Sequence, residues 1–232
     1  MNALTTFVLR LAKWPVALAA LVALPGAVLG FKDEIEATVD VFEAMRPFLY
    51  AAGGYAAIWM IVLRPRSMRE GSFWSTLEHE ATHILFALLT FSQVRELAAS
   101  SGQGGYMKHR GGDNWLVTIA PYFFPTLSVP VILVTLLLEG SEVDVANAVL
   151  GVTVAYHITS TYRETHRAQT DLHKVGLRFA WCFLPSANIF SFGLILGMAR
   201  DKLDGLRGYA ISVWDHSHDL WLEVEELVRS LI

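Results

Sequence analysis

His79-Glu80-Ala81-Thr82-His83 is the stretch of this chain whose residue types and spacing could do chemistry. On a helix, residues i and i+4 lie one above the other on the same face. Two imidazoles placed in that way can both reach one zinc ion. The glutamate after the first histidine then addresses a water on the metal. Zinc lowers the pKa of that water to about 7, so Glu80 can take its proton as general base, and the resulting hydroxide can attack a peptide carbonyl. Glu78 also belongs to this run, but it points elsewhere on the helix and is given no catalytic role.

The setting sharpens the motif. The stretch "TLEHEATHILFALLTF", residues 76 to 91, ends as membrane-like apolar sequence. A titratable group at a helix centre in lipid costs roughly 2.5–3.5 kcal/mol on insertion scales. A metal site offsets that cost. Two rival readings use the same residues: a polar patch satisfied by neighbouring helices, and a cation or proton path in a transporter. A path would spread polar groups over several helices, whereas here they concentrate on this segment and on 157–173. A third reading, a scaffold that binds without cutting, would go with loss of the glutamate, and Glu80 is present.

The chain that must position these groups is 53% hydrophobic and 17% charged over 232 residues, with a mean hydropathy of +0.41, too apolar for an ordinary soluble domain. A net charge of -4 does not suggest a nucleic-acid partner. Cys182, the single cysteine, excludes an intrachain disulfide. About 20 apolar residues span a bilayer. Candidate spans fall at roughly 14–30, 45–63, 72–92, 115–138, 142–162 and 177–198. The fold class expected is therefore an all-α polytopic membrane protein with about six transmembrane helices. One membrane domain would cover 1–200, followed by a polar amphipathic tail at 201–232. The apolar N-terminus mimics a signal peptide but reads as a retained helix. Residues 31–45 read as an extramembrane link or a short amphipathic helix.

Basic residues cluster at 93–113 (Arg95, Lys108, Arg110) and at 163–176 (Arg163, Arg167, Lys174), and none lies in 139–144. The positive-inside rule puts the two basic links in the cytoplasm. Arg64, Arg66 and Arg69 break that pattern. Pro121, Pro125 and Pro130 interrupt the fourth candidate span, where they open a groove or only shape packing. Trp115, Tyr122, Phe123 and Phe124 read first as packing and interface anchors.

The stretch "HEATHILFALLTFSQVRELAASSGQGG" resembles the site-2 protease family of intramembrane zinc metalloproteases. Ala87 matches the small residue after the motif, "QVREL" a strand-like stretch, and Gly102, Gly104 and Gly105 a glycine turn. The resemblance implies that 93–113 is a short β-like insertion at the membrane edge. An extended substrate can add to such an edge by backbone hydrogen bonds, so Gly104 and Gly105 are candidate substrate-binding residues. It also implies one zinc ion and substrates that are single-span membrane proteins or signal-peptide-like remnants in the lipid bilayer. No link is long enough for a PDZ domain, which matches the compact bacterial members and suggests the bacterial inner membrane.

In that family an aspartate is the third metal ligand. Asp171 fits, with Thr170 before it, because its link lies on the same face as the link after the motif helix. Leu203-Asp204-Gly205 has the more usual letters, but Asp204 lies one crossing further on. His157, Glu164, His166 and His173 stay open as alternatives. His157 is either an accessory group of the site or a core histidine bonded to Ser160 or Thr161. Asn188 and Ser191 either bind substrate backbone or join helices.

Overall fold

A computed structural model describes residues 3–64, 73–100, 104–110, 114–166 and 169–231, and for 93–100 and 104–110 it describes the backbone. The first helix, α1 (Ala3–Asp40), has 38 residues. At 1.5 Å per residue it is about 57 Å long, well beyond the ~30 Å of a bilayer core. The link expected from residue 31 is therefore a continuation of this helix. Lys32 and Glu36 form an i,i+4 pair at 2.8 Å, and Glu34 is buried against Arg200, which donates to it at 2.7 and 3.2 Å. Those pairs satisfy polarity that otherwise reads as a loop.

α2 (Phe42–Ile58) follows after one turn residue and runs on through a π-helical turn, Trp59–Leu63. α3 (Phe73–Leu89) carries the histidine motif. β1 (Gln93–Ser100) and β2 (Gly104–Arg110) pair antiparallel, in register from Gln93 with Arg110 to Ser100 with Gly104, with an irregularity between Val94 and Glu96. Both strands lie against α3. Gly102, Arg66, Arg69 and Arg167, used in the sequence reading, lie outside the described residues.

The fourth candidate span is not one helix. It is α4 (Trp115–Ile119), a 3-10 turn (Ala120–Tyr122) and α5 (Ser128–Thr135). Proline has no N–H and clashes with the preceding turn, and Pro121 and Pro125 fall in the break. α6 (Ser141–Glu164), α7 (Thr170–Val175) and α8 (Leu177–Leu231) complete the chain. Of the six expected spans, three lie in helices that, among the described residues, are long and apolar enough to cross a membrane, within Phe7–Asp40, Phe42–Leu63 and Leu177–Leu231. Their outward faces carry exposed Phe7, Leu11, Val22, Tyr50 and Ile61, as lipid contact requires.

α8 reverses at Asp201 and Lys202, where the backbone leaves the helical region (Lys202 φ 49°). The tail after it packs back on the first limb and on α1 rather than standing alone. Asp33 accepts from Ser212 at 2.9 Å and pairs with His216 at 2.7 Å, and the Tyr209 hydroxyl donates to the Ile189 carbonyl. Gly205 meets the backbone of Gly197 so closely that a Cβ would collide with its carbonyl. Gly205→Leu is therefore expected to lower stability by about 3 kcal/mol, the upper end for overpacking, because backbone cannot move aside as a side chain can. Thermal unfolding in detergent checks this, with Gly208→Leu as the control. Nothing lies within 4 Å of a Cβ at Gly208, so that midpoint should hold or rise.

Two apolar clusters fix the helices around the motif. Ala17, Trp115, Ile119, Phe179 and Phe183 join α1, α4 and α8. Met45, Phe48, Leu150, Val154 and Ile195 join α2, α6 and α8. α3 packs on α4 and the 3-10 turn after it through Phe86, Ala87, Val117 and Ala120.

Candidate metal centre

α3 has strong helix formers (alanine, leucine and glutamate) at nearly half of its 17 positions, and no glycine or proline interrupts it. Its Thr82 hydroxyl donates back to the Glu78 carbonyl at 2.9 Å. The helix closes at Phe91, whose φ is 55°, with the Ser92 amide donating to Ala87 at 2.7 Å. Beyond the hairpin the chain returns to the same place, since the Asn114 amide donates to the Thr90 hydroxyl at 2.8 Å. Asn114 also caps α4, accepting from the amides of Leu116 and Val117 at 3.1 and 3.3 Å.

That cap places Val117 against α3. Its carbonyl would normally accept from the amide four residues on. Residue 121 is proline, which has none. The Val117 carbonyl instead lies 2.7 Å from His83 Nδ1. A carbonyl only accepts, so Nδ1 carries the proton and Nε2 presents its lone pair. His79 is held in the same sense, its Nδ1 lying 2.7 Å from Glu164 Oε2. The two rings are 4.8 Å apart at 81°, and the ring of Tyr122 meets His79 edge-on at 5.3 Å.

Both Nε2 atoms converge on Asp171, at 3.3 Å from His83 and 3.5 Å from His79. Asp171 sits in the first turn of α7, which buried Leu172 and Val175 anchor in the core. Gly176, at φ 92°, then lets the chain turn at once into α8. Burial works against the charged form of Asp171. The Lys174 ammonium beside it nevertheless favours that charged form. Lys174 donates to its other oxygen at 2.9 Å.

This arrangement fits a metal ion. With Nδ1 protonated on both neutral rings, two lone pairs and a carboxylate oxygen face one point, a donor set that a metal cation satisfies. One ligand atom from each of His79, His83 and Asp171 lies within 4.8 Å of the others. Tetrahedral zinc with bonds of about 2.0–2.1 Å puts its ligands about 3.4 Å apart, close to the two nitrogen–oxygen separations of 3.3 and 3.5 Å. Glu80 is buried beside this group, within electrostatic reach of His83, His79 and Asp171, and its Oε2 has no hydrogen-bond partner among the described residues. A buried carboxylate oxygen left without a donor is rare and suits a water to be deprotonated.

The other candidates lie elsewhere. Asp204 is exposed just past the reversal in α8, and His166 and His173 are exposed. His157 is buried behind α3, 3.6 Å from Glu78 and 3.4 Å from the Thr161 hydroxyl. Glu164 meets His79 Nδ1 rather than the point where the Nε2 atoms converge. Asn188 donates to the carbonyls of Tyr122 and Leu184 at 2.9 and 3.0 Å, which ties α8 to the 3-10 turn. Gly104 and Gly105 pair with Ser100 and Ala99 within the hairpin. The Val117 carbonyl escaped the sequence reading because a backbone acceptor has no side-chain signature. Pro121, four residues on, was its one visible trace.

Beside the site lies a groove of about 310 Å³ lined by Tyr122, Leu172, Trp181, Leu184, Pro185 and Asn188, among others. Compared with known proteins, residues 52–195 match the family model described as Peptidase M50B-like, which runs from α2 through most of the first limb of α8. No curated protein and no solved structure matches this chain.

Proposed function

The chain belongs to the Peptidase M50B-like family of membrane metallopeptidases, and from that premise we propose that it is an intramembrane zinc metalloendopeptidase. Its substrates would be single-span membrane proteins or signal-peptide-like remnants, cut in or near the bilayer of a bacterial inner membrane. The observation that carries this reading is the convergence of two imidazole nitrogens and Asp171 beside a buried glutamate whose Oε2 has no hydrogen-bond partner among the described residues.

His79, His83 and Asp171 would hold the ion. When bound, it supplies Lewis acidity, polarising the scissile carbonyl and making a water acidic near neutral pH. Glu80 takes a proton from the attacking water at its carboxylate and returns it to the leaving amide nitrogen. A C–O bond forms, the C–N bond breaks, and Glu80 ends as it began. Val117 and Glu164 keep both imidazoles from rotating through the cycle. The groove beside Tyr122 is apolar enough to take a hydrophobic side chain next to the cut bond. Asn188 would steady its floor, and the hairpin bearing Gly104 and Gly105 would offer an edge for an unwound segment of substrate. Intramembrane helices resist cleavage because their amides are already paired, so such an edge has a physical purpose.

The test is zinc content of the purified protein together with cleavage of a panel of single-span substrates in detergent or bicelles. Bound zinc with cleavage at a defined bond is the expected result. Zinc held without any cleavage would favour the reading in which the same histidines handle a cation for transport, and absence of zinc would remove the enzyme reading.

A further inference from the structure

Glu164 is the last residue of α6, and that is a poor place for a carboxylate. The end of a helix carries partial negative charge from unpaired carbonyls, so an anion there is disfavoured. The side chain is also only 16% exposed. Three donors surround it. His79 Nδ1 lies 2.7 Å from Oε2, and the Ser75 hydroxyl and the Arg163 guanidinium, the latter at 3.0 Å, both donate to Oε1. Ser75 stands one helical turn before His79 on the same helix, so the carboxylate bridges two successive turns of α3.

The two histidines are thus held by acceptors of different kinds. His83 donates to a neutral carbonyl, and His79 donates to a charged carboxylate. We infer that Glu164 is the positioning residue of this centre: it fixes the tautomer and ring plane of His79 and makes that imidazole the stronger donor to the ion. This rests on the metallopeptidase reading and adds to it a residue that touches neither metal nor substrate. An oriented carboxylate behind a ligating imidazole raises its basicity, and loss of such a partner typically weakens metal affinity about 10–100-fold.

The experiment uses the full chain in detergent, stripped of metal and titrated with cobalt(II), whose visible bands report ligand geometry. Affinity is read by competition with a chelator. Glu164→Ala is expected to bind one cobalt per chain about 100-fold more weakly, and Glu164→Gln, which keeps an oxygen acceptor of the same shape, about 10-fold more weakly. Both should shift the visible bands, and His79→Ala should not bind measurably. The glutamine variant carries the test if the alanine variant does not fold. Wild-type affinity and spectrum in Glu164→Gln and Glu164→Ala would overturn the inference. So would a loss as complete as that of His79→Ala, since Glu164 would then be a ligand itself. If the wild-type chain binds no cobalt, the metallopeptidase reading fails first, and that outcome is distinct from an indifferent Glu164.

Discussion

Glu80→Gln should leave zinc in place and reduce the rate of the chemical step by about 10²–10⁴-fold, the range expected for a lost general base. The substitution keeps size and shape. Because Glu80 Oε2 has no partner among the described residues, an amide placed at that oxygen breaks no hydrogen bond among them. The variant should therefore fold, bind metal and bind substrate as the wild type does. Single-turnover cleavage separates the chemical step from binding, and elemental analysis of the same sample gives the zinc. More than a tenth of wild-type activity with zinc present would remove Glu80 from the mechanism. Loss of zinc along with activity would recast it as part of the metal-holding group.

Asp171→Ala is the second large effect. It should abolish stoichiometric zinc binding, weakening affinity by more than the roughly 100-fold typical for a residue behind a ligand. A ligand that binds only the folded chain stabilises it by about 2.7 kcal/mol at a hundred times its dissociation constant. The wild type should therefore melt at a higher temperature with zinc than with a chelator, and Asp171→Ala should show no difference between the two. Asp204→Ala is the matched control. Asp204 is exposed beyond the reversal in α8, so its removal should keep the full zinc-dependent shift. The opposite pattern would move the third ligand to Asp204 and with it the placement of α7.

The motif itself was legible because its spacing is local. His79 and His83 share a face within one helical turn, and no tertiary information is needed to see it. The count of crossings that pointed to Asp171 assumed six spans, whereas its nearness to both histidines comes from the tertiary packing of α7. Glu164 was visible only as one more acid in the right region. Its role depends on which ring nitrogen it meets, and a contact between residues 79 and 164 leaves no periodic trace in the sequence. Polarity in the sequence did not show where two helical segments pack. Residues 31–40 and the tail beyond 201 carry charges, yet Glu34 with Arg200 and Asp33 with Ser212 and His216 satisfy them internally. Gly197 and Gly205 let the limbs of α8 touch, and a small residue in an apolar run does not announce a helix contact. The broken fourth span was readable, since Pro121 and Pro125 name the place.

The bond from Asn114 to Thr90 brings the chain back to where it left α3. The entropy of closing the intervening loop changes only slowly with its length, and α4 starts from Asn114 whatever lies between. The hairpin is thus an interchangeable attachment. As the substrate edge proposed above, it could be exchanged for another such element while Val117 keeps its register on His83, so that substrate choice would diverge without the chemistry having to evolve with it.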